Sequence, residues 1–163
     1  NGAGNYAGWL HRYFCYKAYR TQLAPTSGSM GYGLPAAVSA KLAHPERAVV
    51  CLAGDGCFQM SMQEFGTAVQ YGANIIVIVV NNGVYGTIRM HQQKTYPDRP
   101  SGTDIRNPDF AALARSYGGF GATITKTDQF ADAFAAARAA NAPAILDVQT
   151  DPRAVTTRSS TAF

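Results

Sequence analysis

Two short polar turns in the chain each follow an apolar run directly. Gly54-Asp55-Gly56 closes the run from Ala48 to Ala53, and Asn81-Asn82 closes the run from Ile75 to Val80. Asp55 and Asn82 lie 27 positions apart, the length of one strand-helix-strand crossover. If the two runs are neighbouring parallel strands, roughly 5 Å apart, their carboxyl ends bring both side chains to one edge of the sheet, within reach of a single ion. An Asp carboxylate, an Asn amide oxygen and a nearby backbone carbonyl are hard oxygen ligands, suited to Mg²⁺ or Ca²⁺ and not to zinc. Magnesium keeps its remaining positions for water and for phosphate oxygens of a ligand, and glycines beside Asp55 let the backbone approach such a phosphate closely. The competing account is turn chemistry, since Asp, Asn and Gly favour strand-ending turns whatever their function.

The elements that must position these groups follow from the same stretch. The two apolar runs are short, β-branched and without in/out alternation, as parallel strands covered on both faces are. A helical pattern over Ser61 to Tyr71 joins them; Ser61-Met62-Gln63-Glu64 fits a capping box that starts the helix at about Met62, and Gly72 ends it. Leu34 to Leu42 reads as an earlier helix. Residues 92–106 are polar, contain Pro97 and Pro100, and read as a long loop, a lid that orders on binding. Asn107-Pro108 then caps a helix through Tyr117, Gly121 to Thr125 is a strand, Thr127 caps a helix with Phe130 and Phe134 on one face, and Pro143 precedes a last strand from Ala144 to Gln149. The fold class is α/β: a doubly wound, mostly parallel sheet with helices on both faces, in one domain over residues 1–163. The tail 151–163 has no period and reads as a mobile end or an arm on a partner.

A second glycine-rich segment, Gly28-Ser29-Met30-Gly31-Tyr32-Gly33, precedes the first helix. Its glycines run G-x-x-G-x-G with no strand clearly before them, and no Gly-Lys-Ser/Thr follows, so it is neither a dinucleotide fingerprint nor a P-loop.

Taken together these residues resemble the thiamine-diphosphate-dependent enzymes. Gly54-Asp55-Gly56, 24 intervening residues and Asn81-Asn82 look like that family's cofactor-binding motif. Gly28-Ser29-Met30-Gly31 with Leu34-Pro35, and Asn82-Gly83-Val84-Tyr85-Gly86 with Arg89, are similar to its acetolactate synthase and 2-oxo acid decarboxylase branch. The resemblance implies that Asp55 and Asn82 give side-chain ligands to Mg²⁺ and Val84 its carbonyl. It implies that amides around Gly56, Cys57 and Tyr85 hold the diphosphate of thiamine diphosphate. The Gly28 carbonyl and the Met30 amide, beside Ser29, would meet the aminopyrimidine ring, with the Met30 side chain wedged beneath the bent cofactor. Gly4-Asn5-Tyr6 resembles another cofactor-facing turn. Met30 is otherwise a core side chain, Cys57 a small buried thiol and His91 a solvated residue at the start of the loop.

In this family a glutamate on a separate pyrimidine-binding domain activates the ring. Neither glutamate here fits: Glu46 precedes a strand, at the far end of the sheet, and Glu64 is a cap. No catalytic residue is therefore expected in this chain, and the resemblance implies a partner, the pyrimidine-binding domain of the same or another subunit. The chain reads as a C-terminal fragment of a longer enzyme, a lyase or carboligase acting on a small 2-oxo acid within a homo-oligomer. The alternatives are a separately encoded β subunit of a 2-oxo acid decarboxylase, or a non-catalytic ligand-binding scaffold domain.

Composition bounds the rest. With 47% hydrophobic and 15% charged residues the chain is globular, and its net charge of +4 is scattered, so no nucleic-acid stripe is indicated. The longest aliphatic run, Ile75 to Val80, is far below the roughly 18 residues of a membrane span. Cys15, Cys51 and Cys57 form no C-x-x-C pair, which favours a reducing compartment, the cytoplasm.

Overall fold

The computed structural model describes residues 1–157; part of the expected tail arm lies outside the described residues. Four parallel strands, β1 (Val50–Gly54), β2 (Ile76–Asn81), β3 (Phe120–Ile124) and β4 (Ala144–Gln149), form one sheet in the order β1-β2-β4-β3. The expected β-α-β unit is present, with β1 and β2 as direct neighbours and Gly54 opposite Val80. That register carries Asp55 and Asn82 to the same end of the sheet.

Successive residues of β2 point to opposite faces and bury both. Ile75, Val77 and Val79 pack with Leu34, Phe65 and Phe110, which belong to the side covered by helices α2 (Gly33–Ala43), α4 (Glu64–Gln70) and α6 (Phe110–Ser116). Ile76 and Ile78 pack on the other side with Phe130, Phe134 and Ala137 of α7 (Gln129–Ala139). This two-sided burial is why the strands lack alternation, and it is the doubly wound arrangement expected. Edge-on ring pairs, Phe58 with Phe110 at 5.3 Å and Phe65 with Tyr117 at 6.0 Å, add about 0.5–1.5 kcal/mol each to the first core. Among the described residues no helix is long and apolar enough to cross a membrane.

Two helix ends behave as glycine rules require. Gly72 (φ +62°) and Gly118 (φ +83°) take the left-handed conformation, and the Ala73 and Gly119 amides donate back to the Ala68 and Ala114 carbonyls.

Helix starts differ from the expectations. The Ser61 hydroxyl donates to the Gly31 carbonyl and the Glu64 carboxylate accepts from the Thr67 hydroxyl, so no capping box forms and α4 begins at Glu64. Both side chains found better-placed partners, one of them tertiary. The cap of α6 is Asp109, which accepts from the Ala112 amide, and not Asn107. Thr127 does not cap α7; the Gln129 side chain accepts from the Thr125 and Lys126 amides instead.

The segment read as a loop from residue 92 begins later. Helix α5 (Gly86–Thr95) takes its first residues, hidden from periodicity because its buried residue is Arg89 while Ile88 is exposed at the cavity. Nor is the remainder a free lid. Residues 103–105 recross the turn after β2, with Tyr85 N donating to Thr103 O at 2.9 Å and Ile105 N to Gly83 O at 2.8 Å. Arg89 donates to Asp104 at 2.6 Å and to the Thr103 hydroxyl. The first part of the tail is also packed, with Val155 buried.

Candidate functional site

A cavity of about 360 Å³ lies at the carboxyl ends of β1 and β2, floored by Leu52 and Val80. Parallel sheets place their ligand crevices at this end. Its walls include seven of the nine candidate residues: Met30, Asp55, Gly56, Cys57, Asn82, Val84 and Tyr85. Gly28 and Ser29 do not line it; Gly28 adopts φ +70° and Ser29 shares a hydroxyl contact with Ser27. The Gly4-Asn5-Tyr6 turn, just ahead of helix α1 (Ala7–Tyr13), lines the cavity, as does Trp9 of that helix.

Asp55 is buried at the start of the short helix α3 (Asp55–Gln59). Its Oδ2 accepts from the Gly83 amide at 2.8 Å and from Asn107 Nδ2 at 2.7 Å, while among the described residues Oδ1 accepts only from the Gly56 amide at 2.9 Å. A carboxylate oxygen takes about two donors, so Oδ2 is filled and Oδ1 keeps one acceptor position. Asn82 Oδ1 accepts from the Val84 amide at 3.1 Å and likewise keeps one. No described N–H donates to the Val84 carbonyl. Three hard oxygens with spare lone pairs thus come from two adjacent strand ends, as the spacing predicted. No group of three or more His, Cys, Asp or Glu side chains fit for a metal occurs among the described residues. Asp55 is the one carboxylate among the described cavity walls, so a cation here would meet a single negative side chain, and its remaining charge suits an anionic ligand.

The amides divide unequally. Gly56 N is engaged by Asp55 and Tyr85 N by Thr103 O, whereas Cys57 N donates to nothing among the described residues. The first-turn amides of α5 also have no partner there, and Gly86, Thr87 and Ile88 line the cavity. Helix starts direct such amides and a partial positive charge at whatever sits before them, which favours phosphate. Gly54 and Gly56 make room for the two tyrosines: an added Cβ would stand 2.7 Å from the Tyr6 ring and 2.6 Å from the Tyr85 ring, so the rings would have to shift. The Tyr6 hydroxyl is buried without a hydrogen-bond partner among the described residues. Burial pushes its phenol well above the ordinary range, and the adjacent Cys57 thiol adds to the rise.

Behind Asp55 lies a polar chain. Asn107 donates to both Asp55 and Asn81 Oδ1 at 2.7 Å and accepts from Gln59 at 2.6 Å; Asn81 in turn donates to buried Asp147 at 2.9 Å. Sequence reading missed Asn107 because Asn-Pro before a helix looks like a cap, and missed Asn81 because its neighbour Asn82 explained the motif. Burial raises the Asp147 carboxyl, bonds from Asn81 and Gln149 oppose the rise, and the charges of Asp109 and Asp55 add to it. A carboxyl raised on folding contributes stability that is complete below its ordinary value, about 4, and is lost as pH rises through the folded value. Asp147→Asn should therefore gain stability relative to the unchanged protein as pH rises from about 4 and level off above the folded value. Denaturant midpoints across that range check this; a pH-independent difference would contradict it.

Glu46 precedes β1, pairs with His44 at 3.9 Å and is remote from the cavity, and Glu64 is not among its walls. His91 is exposed on α5 and does not line the cavity.

The chain matches the family described as thiamine pyrophosphate enzyme, C-terminal TPP binding domain, over residues 2–148. Acetolactate synthase of Arthrospira platensis is 44% identical over 124 residues, which are 75% of this chain and 21% of that protein. The acetolactate synthase large subunit of Pyropia yezoensis is 37% identical over 148 residues, 90% of this chain and 25% of that protein. Among solved structures, the thiamine diphosphate-dependent 4-hydroxybenzoylformate decarboxylase of Rhodococcus jostii RHA1 superposes with a TM-score of 0.73 at 38% identity, covering 78% of this chain and 24% of that one. The chain spans about a quarter or less of the length of these relatives.

Proposed function

The chain belongs to the thiamine pyrophosphate enzymes as their C-terminal TPP-binding domain, and from that premise we propose that it holds the diphosphate and Mg²⁺ of a lyase or carboligase acting on small 2-oxo acids. The observation that carries the metal half of this reading is the donor set: Asp55 Oδ1, Asn82 Oδ1 and the Val84 carbonyl, each with a lone pair that no described donor uses. One carboxylate, two neutral oxygens and room for phosphate match a Mg²⁺ that arrives with a diphosphate.

The Cys57 amide and the first turn of α5 would receive the diphosphate oxygens. Gly28 and Met30 would meet the aminopyrimidine ring, with the Met30 side chain as an apolar support that fixes the cofactor's bend. Bound thiamine diphosphate supplies the nucleophilic carbon and the electron sink for decarboxylation. The chain's own work is to bind, orient and exclude water, because no glutamate reaches the cavity. Ring activation would come from a pyrimidine-binding domain of the same or another subunit in a homo-oligomer.

The test is a calorimetric titration of the full-length natural protein with thiamine diphosphate, with and without Mg²⁺. Tight binding that requires the metal is expected. Binding of equal strength without any divalent cation would refute the metal assignment, and no binding in either condition would move the scaffold reading to first place.

A further inference from the structure

We propose that Asn107 is a positioning residue that sets how Asp55 presents itself to the cation: it fills one carboxylate oxygen so that only the other ligates, and thereby favours Mg²⁺ over Ca²⁺. The inference rests on the reading of Asp55 as a metal ligand.

Asn107 has both amide hydrogens committed, one to Asp55 Oδ2 and one to Asn81 Oδ1, and its oxygen accepts from Gln59. The direction of this chain is forced from its two ends. Above the pH range in which Asp147 protonates, its carboxylate only accepts, so Asn81 must turn its NH₂ toward it; the Asn81 oxygen then faces Asn107, which must answer with an NH₂ that also reaches Asp55. Reversing Asn107 would set its oxygen against two oxygens, and reversing Asn81 would set oxygen against oxygen at Asp147 and NH₂ against NH₂ at Asn107, in a part-buried site where unpaired polar groups cost most.

The position of Asn107 is also held independently of Asp55. Residues 103–105 are bound across the turn 83–85 by two backbone hydrogen bonds and by the Arg89 to Asp104 ion pair, and Asn107 stands two residues further on. Helix capping does not account for the residue, since Asp109 does that work.

The consequence for the cation is geometric. With Gly83 N and Asn107 both on Oδ2, Asp55 offers a single position on Oδ1 and binds through one oxygen. Mg²⁺ requires a near-ideal octahedron of single contacts, whereas Ca²⁺ accepts more ligands and both oxygens of a carboxylate. Removing Asn107 opens a lone pair on Oδ2 and frees the carboxylate to swing toward two-oxygen binding.

The experiment is titration of the full-length natural protein with Mg²⁺ and, separately, Ca²⁺ in excess thiamine diphosphate, read by calorimetry and not by turnover. Asn107→Ala should weaken Mg²⁺ about 10–100-fold, the usual cost of losing a partner behind a metal ligand, and weaken Ca²⁺ less, so that the Mg²⁺ to Ca²⁺ preference falls. Asn107→Leu, which keeps the volume and removes the donors, should show the same shift if the alanine variant does not fold. An equal loss for both cations would reduce Asn107 to a structural role, and unchanged affinities would overturn the proposal. Asp55→Ala serves as the reference: if it keeps Mg²⁺ affinity, the metal reading itself fails, whereas loss in Asp55→Ala with no shift in either Asn107 variant fails this inference alone.

Discussion

Replacing Asp55 with alanine should lower Mg²⁺ affinity more than about 100-fold, beyond the loss typical of an outer partner, and thiamine diphosphate binding should fall with it. The effect is large because Asp55 supplies the one carboxylate of the donor set and also organises its surroundings. Three donors converge on it, from Gly56, Gly83 and Asn107. Each loses its acceptor in the alanine variant, at about 1–3 kcal/mol for any donor that water cannot reach. Stability of the cofactor-free protein should therefore fall as well. Asp55→Asn separates the two effects, since it keeps the shape and removes the charge; it should retain most of the stability and still lose the metal. Calorimetry for binding and denaturant unfolding for stability decide the matter. Mg²⁺ affinity within threefold of the unchanged protein would remove Asp55 from the metal shell.

Gly121→Ala should be the most damaging single methyl in the fold. Gly121 lies in β3 where α6 crosses it, and an added Cβ would stand 2.1 Å from the Ala111 carbonyl oxygen and 2.8 Å from two further backbone atoms of that residue. A side chain could rotate away, but a helix backbone must move as a unit, and α6 is fixed to the sheet through Phe110, Ala111 and Ala114, all fully buried. The cost should reach about 3 kcal/mol or more, the upper range for overpacking. Gly8→Ala in α1 is the matched control: its nearest contact would be Thr157 at an ordinary 3.9 Å, and removing a helical glycine should stabilise by about 0.5–1 kcal/mol. Denaturant midpoints compare the two, and a Gly121→Ala midpoint equal to that of the unchanged protein would contradict the packing described.

The parts of the fold legible in sequence were those set by backbone repetition and by glycine. The runs from Ala48 and Ile75 announced buried parallel strands, and Gly72 and Gly118 marked helix ends, because both signals are local. The pairing of Asp55 with Asn82 was legible for the same reason: a crossover of known length places two strand ends side by side. Tertiary competition hid the rest. Ser61, Asn107 and Thr127 all have the chemistry of helix caps, yet Ser61 bonds the Gly31 carbonyl and Asn107 turns toward Asp55. Helix α5 was invisible because it buries a guanidinium where a pattern search expects an aliphatic group. The Asn81 to Asp147 contact joins residues 66 positions apart, and no local rule links them.

The strand order β1-β2-β4-β3 has a further consequence in time. The strand last in sequence, β4, is the one that joins the β1-β2 pair to β3, so β3 has no neighbour in the sheet until residues 144–149 arrive. A chain emerging from the ribosome can build the parallel β1-β2 pair and its helical crossover early, with Asp55 and Asn82 already near one another. It cannot orient Asn81 toward Asp147, or seat α7, before β4 has been made. The polar chain behind Asp55 is therefore completed only after β4 is made, delayed by the long-range pairings that slow parallel sheets in general.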